Sequence, residues 1–116
     1  MVFATFSFYT KKYLRGMEPR IPPDAFKFWA DRAKEQIDRY TFNRIDLLVM
    51  AAHGDRIGNC TCELAEHLYM NEGNEGLASE SGKGGSVIYE KGVPYRICQR
   101  HLSMTGLMYR GAGNAF

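Results

Sequence analysis

The stretch from Pro23 to Tyr40 constrains this chain more than any other. Phe26, Trp29, Ala30, Ala33, Ile37 and Tyr40 recur at helical spacing, while Lys27, Asp31, Lys34, Glu35 and Asp38 fall mostly on the opposite side. Pro23 suits a first helical turn because its missing N–H has no partner there, and Asp24 faces the positive end of the helix dipole. Lys27–Asp31 and Lys34–Asp38 are i, i+4 ion pairs, each contributing about 0.3 kcal/mol. A helix from Pro23 to Tyr40 with one apolar stripe has to be covered by other elements. With 116 residues, the chain has enough apolar material for one modest core and so for a single domain spanning residues 1–116.

The flanking segments supply candidates for that cover. In "TFSFYTKKYLRG", Phe6, Tyr9 and Tyr13 follow i, i+3, i+7, with Thr5 as a cap and Gly16 as the stop. "MEPRIPP" reads as an extended connector, because residues before proline avoid the α region. After Tyr40 comes a link, then an apolar piece from Asp46 that stops near Gly54. A further helix runs from about Asp55 to Met70 or Asn71, its stripe made of Ile57, Cys60, Thr61, Leu64, Ala65 and Leu68. Gly58 weakens its first turn by roughly 1 kcal/mol relative to alanine.

From Asn71 to Ser86 the composition changes to Gly, Ser, Glu and Asn, which predicts a long loop. "SVIYE" then alternates as a strand, with Val87 and Tyr89 on one face and a turn at Lys91-Gly92. "YRICQRHLSM" predicts a terminal helix with Ile97, His101 and Met104 on one side. The expected fold class is therefore mainly α. It is a small helical bundle with a long Gly/Ser loop or β-hairpin and a flexible C-terminal arm from about residue 104 to 116.

Charge and composition exclude several functions. The formal net charge of +2 is small, and Lys and Arg are dispersed, so nothing marks a nucleic-acid-binding module. "LLVMAA", the most apolar run, is too short to span a membrane. "MVFATFSFYT" has neither a basic n-region nor a small-residue cleavage site, so it is not read as a signal peptide. Three cysteines cannot all pair within one chain, which favours reduced thiols over a disulfide framework.

The residues that carry chemistry elsewhere are poorly arranged for it here. Cys60 and Cys62 sit two apart on a helix and point about 200° away from each other, so they do not share a metal. His67, beside Glu63 and Glu66, reads as a surface histidine, and the two carboxylates read as solvated. "ESGKGGS" lacks the P-loop register and precedes a strand rather than a helix. No catalytic residue, metal ligand or cofactor is assigned. The alternative to a non-enzymatic reading is a small cytosolic thiol enzyme using Cys60 or Cys98 with His53, His67 or His101.

An aromatic start and four further motifs, in order along nearly the whole chain, carry a resemblance. A short aromatic N-terminal helix with an F-x-x-Y start precedes the prolines. "IDRYTFNRI" (Ile37 to Ile45) ends the long helix, and "CELAEHLY" (Cys62 to Tyr69) lies on the next. "SESGKGGSVIY" (Ser79 to Tyr89) and "TGLMYRG" (Thr105 to Gly111) follow. In these features the chain resembles the head–tail connector, or head-completion, proteins of tailed bacteriophages.

The resemblance implies a virion structural protein of the neck, present in the bacterial host cytoplasm before assembly. It implies self-association into a roughly twelve-fold ring under the portal, a heterologous assembly in which one face of each subunit meets a different face of the next. The partners implied are the portal protein and the next connector or tail-completion protein, with only passive contact with packaged DNA and no membrane. Thr105, Gly106, Leu107, Met108, Tyr109 and Arg110 are the expected docking residues for portal or neighbouring subunit. Their alternative is packing back onto the chain's own helices. Ser79, Glu80, Ser81, Lys83 and Ser86 are the expected channel-facing loop, near neutral as a passage for DNA requires.

Overall fold

The computed structural model describes residues 2–73 and 83–108. Helix α1 (Phe6–Phe8) runs into a π-helical turn (Tyr9–Tyr13), followed by α2 (Pro23–Tyr40), α3 (Leu47–Leu68) with a second π-helical turn (Tyr69–Gly73), and α4 (Lys83–Leu102) with a closing 3-10 turn (Ser103–Thr105). The protein is mainly helical, and there is no strand among the described residues.

Helix α2 has the bounds its pattern predicts. Phe26, Ala30, Ala33 and Ile37 form its buried stripe, and the two i, i+4 ion pairs close at 2.7 and 2.8 Å. Its C-terminus is a Schellman turn in which the Asn43 N–H donates to the Asp38 carbonyl and Phe42 occupies the left-handed position at φ 58°. Thr41, fully buried at the cap, returns its hydroxyl to the Ile37 carbonyl at 2.8 Å.

Helix α3 is two helical segments joined at a kink. The Asp46 carboxylate caps it by accepting from the Val49 N–H at 2.9 Å, and His53, at φ −129°, leaves the helical region one residue before Gly54. The apolar piece that was expected to stop near Gly54 therefore bends there and continues. Beyond the bend, Ile57, Cys60, Thr61, Leu64, Ala65 and Leu68 are buried as their spacing predicts.

The N-terminal segment closes one side of the core with aromatic rings. Thr5 caps α1 by accepting from the Phe8 N–H at 3.1 Å. Tyr9 is fully buried, stacked on Phe26 at 4.8 Å between ring centroids and flanked by Phe6 and Tyr13. Gly58 shows why glycine stands in a helix at that point. A Cβ there would lie 2.5 Å from the tip of the Phe8 ring, so the absent side chain is the space in which that ring sits.

Two expectations need correction. "SVIYE" is not a strand, and Lys91-Gly92 is not a turn, because both lie within α4, which is continuous from Lys83 to Leu102. Period-two alternation over five residues is too short to decide against a helix whose remaining turns are anchored by Ile97, Cys98 and Leu102 in the core. Pro94 lies inside this helix without breaking it; it removes one N–H donor from the ladder. Of the predicted loop from Asn71 to Ser86, the two ends are helical, since Tyr69–Gly73 is a π-helical turn and α4 begins at Lys83; residues 74–82 lie outside the described residues.

Candidate functional site

The expected docking segment begins as a folded turn rather than a loose arm. Thr105 donates its hydroxyl to the Leu102 carbonyl at 2.6 Å and accepts from the Leu107 N–H at 3.1 Å. Gly106 takes φ 79°, a conformation open to glycine without strain, and turns the chain inward. Leu107 is buried in the core and Met108 packs against it. The Arg44 guanidinium donates to the Leu107 carbonyl, tying this turn to the link between α2 and α3. Thus Leu107 is buried and Met108 half-buried against the chain's own helices, the alternative named for this segment. Tyr109 and Arg110 lie outside the described residues.

Of the expected channel-facing residues, Ser79, Glu80 and Ser81 also lie outside the described residues. Lys83 and Ser86 belong to the first turn of α4, so for these two the loop assignment is corrected to helix.

Apolar side chains are nevertheless exposed within a few residues, along the chain, of both partners in the Arg44–Leu107 contact. Leu47 and Leu48, in the first turn of α3, are 75% and 80% exposed, and Met104, three residues before Leu107, is 78% exposed. The apolar run "LLVMAA" is not buried throughout. Only Val49 and Met50 of its first four residues pack against the core, because a first turn lies at the margin of the bundle.

The polar cluster that sequence reasoning missed lies across α3. Glu66 is buried, not solvated. It accepts from the Tyr9 hydroxyl at 2.7 Å, and the Arg20 guanidinium approaches it at 3.5 Å. The Tyr9 oxygen in turn accepts from the backbone N–H groups of Arg20 and Ile21 at 3.0 and 3.2 Å. Glu63 accepts from Arg100 at 2.9 Å and pairs with His101 at 2.7 Å. Burial pushes the Glu63 carboxyl up, but its bonds to Arg100 and His101 outweigh this and hold it below the usual carboxylate range. No signal in the sequence links these partners, which lie far apart along the chain.

A shallow cleft of about 390 Å³ opens beside this cluster, lined in part by Tyr13, Glu63, Glu66 and Arg100. Both of its carboxylates already serve as acceptors for the groups that join the helices. The thiols are no better placed for catalysis. Cys60, Cys62 and Cys98 are fully buried. A hydrogen bond with Cys98, then burial, pushes the Cys60 thiol well up, and burial pushes Cys62 up to about 12. Cys60 and Cys62 therefore carry almost no thiolate, the form that a nucleophile or metal ligand needs. Among the described residues, no three His, Cys, Asp or Glu side chains are grouped to hold a metal, and no helix is long and apolar enough to cross a membrane.

The motifs of the resemblance thus meet within the fold. Tyr9 of the aromatic start bonds Glu66 of "CELAEHLY", and Arg44 of "IDRYTFNRI" bonds Leu107 of "TGLMYRG". No protein-family model matches this chain, and no curated protein or solved structure is significantly similar to it.

Proposed function

We propose that this chain is a head–tail connector subunit of a tailed bacteriophage, acting by assembly and not by catalysis. It forms a ring beneath the portal, joins it to the next connector or tail component, and continues the DNA channel. The four ordered motifs supply the family. The observation that carries the mode of action is the exposure of Leu47, Leu48 and Met104, each within four residues along the chain of a partner in the Arg44–Leu107 contact. Apolar side chains this exposed gain from burial at a subunit contact, at about 25 cal/mol per Å² removed from water. The small net charge of +2 suits a wall that DNA passes without being gripped.

The test is binding to the portal ring encoded by the same phage or prophage. The chain is compared with a Leu47→Ser/Leu48→Ser variant and with a chain ending after Met108. Binding by the full chain that either change weakens at least tenfold supports the reading and identifies the contact. Binding that neither change affects keeps the function and removes the proposed surface. No binding by the full chain, at concentrations well above those of typical assembly contacts, overturns the reading.

A further inference from the structure

We propose that the cleft beside the Glu63–Glu66 cluster is a binding site for a small phosphate monoester, held by Arg20, Arg100 and the Tyr13 hydroxyl. All three residues line this cleft of about 390 Å³. Tyr13 closes the first π-helical turn, and Met70 and Asn71, also in the lining, belong to the second. Turns of this kind are rare and recur at functional sites. Both of those among the described residues border the same cavity.

The ligand class follows from which hydrogen-bonding groups remain open. The acceptors are engaged: Glu66 accepts from Tyr9 and faces Arg20, and Glu63 accepts from Arg100 and pairs with His101. Donors are in excess. Arg100 reaches Glu63 through Nη1 alone, which leaves Nε and Nη2 without a partner among the described residues. Arg20 comes no closer than 3.5 Å to Glu66, so its fork of N–H groups is turned to use elsewhere. The Tyr13 hydroxyl has no hydrogen-bond partner among the described residues. Burial, then the Glu66 and Glu63 charges, push its phenol up, so it stays a protonated donor. Two guanidiniums and a phenol suit a group rich in acceptor oxygens. A phosphate monoester offers three terminal oxygens and a charge of about −1.5 to −2 at pH 7, against two oxygens and a single charge on a carboxylate.

The charges of the cleft are layered. The Arg20 and Arg100 side chains are 67% and 60% exposed, whereas Glu66 is buried and Glu63 half-buried. An arriving anion meets the guanidiniums first, with the carboxylates behind them fixing Arg100 and attracting Arg20. Support of this kind preorganises an arginine for phosphate. Val93 and Ile97 line the cleft together with Tyr13 and give the organic part of the ester an apolar wall. Leu47, Leu48 and Met104 are not in the lining, so the site is separate from the proposed assembly surface.

The experiment is calorimetric titration of the full chain with phenyl phosphate at neutral pH and low ionic strength, where surface charges are least screened. Saturable one-to-one binding is expected, at least threefold tighter than that of inorganic phosphate, which has no apolar part. Arg20→Gln should weaken it about tenfold, equivalent to ~1.4 kcal/mol, and Tyr13→Phe, which keeps the ring, at least threefold. Arg96→Gln, on an exposed arginine of α4 outside the lining, should leave it unchanged. Failure to saturate at about 20 mM, well past the ~1 mM that marks weak binding, overturns the proposal. So does equal weakening by Arg20→Gln and Arg96→Gln, the mark of a diffuse surface field, or binding of benzoate as tight as that of phenyl phosphate. If one variant does not fold, the other and the ligand series on the unaltered chain still decide.

Discussion

The Tyr9 hydroxyl lies 2.7 Å from the Glu66 carboxylate, and both groups are buried. One oxygen atom thereby joins three segments. It donates to α3, accepts from the backbone of the Arg20–Ile21 connector, and belongs to the N-terminal helix. The buried carboxylate also needs Tyr9, since the cation nearby, Arg20, is 3.5 Å away and largely in solvent. Tyr9→Phe keeps the stacked ring but leaves a buried carboxylate and two N–H groups short of a partner. The expected loss is about 1.5–3 kcal/mol, the range for bonds to charged groups. A denaturant titration reads it, and a loss below about 0.5 kcal/mol would mean that water replaces the hydroxyl freely.

Gly58 and Phe8 form a second dependent pair. Alanine at 58 is favoured by helix propensity by roughly 1 kcal/mol, but its Cβ would overlap the Phe8 ring, 2.5 Å away at the closest atom. Overpacking of this kind costs about 1–3 kcal/mol, so Gly58→Ala is expected to destabilise the protein. In a Phe8→Ala background the same change should stabilise it. That reversal of sign, measured as a double-mutant cycle, isolates the contact. Additive effects would show that the ring is not held where it lies.

Leu107, close to the end of the described chain, is a core residue, and the outcome of truncation follows from that. Removing residues 105–116 takes away Leu107, the Thr105 bonds that close α4 and the acceptor of Arg44. Losing one buried leucine costs about 2–5 kcal/mol. A chain ending after Met104 should therefore melt well below one ending after Met108. Equal melting temperatures would place Leu107 outside the cooperative unit. For portal binding, the cut after Met108 is the informative one, because the earlier cut confounds docking with folding.

The helices were legible where a long apolar stripe met clear end signals. Pro23, Asp24 and six stripe residues fixed α2 from the sequence; Asp46 marked the start of α3, while Gly54, read as a stop, lies at a kink the helix continues through. The strand at 86–90 was misread because five alternating residues carry little information, and because Pro94 and Gly92 look like punctuation although the helix tolerates both. The polar cluster was not legible at all. Glu63 and Glu66 look like an exposed i, i+3 pair, and only the fold brings Tyr9, Arg20, Arg100 and His101 to them. At the α2 terminus the tertiary structure overrides a local preference. Phe42 holds a left-handed conformation that sequence reasoning assigns to glycine, with the Arg44 guanidinium 5.3 Å over its ring.

The buried acids of high pKa predict how stability depends on alkaline pH. Burial, then the bond to Glu66, pushes Tyr9 from 10.0 to about 12, and burial, then the nearby Glu66 charge, pushes Cys62 from 9.0 to about 12. Tyr13 and Tyr40 are raised mainly by burial, and Cys60 by its bond with Cys98 and by burial. In each case the folded state favours the neutral form, so the unfolded chain releases its protons first. The contribution to stability is complete below the unfolded values and is lost as pH rises through the folded ones. Denaturant midpoints should be level up to about pH 9, where unfolded thiols begin to ionise, and should then fall steadily towards about pH 12. In a Cys60→Ser/Cys62→Ser variant the onset should move up towards pH 10, where the tyrosines take over. A midpoint that stays level through this window would mean that these groups ionise as easily folded as unfolded, which their burial forbids.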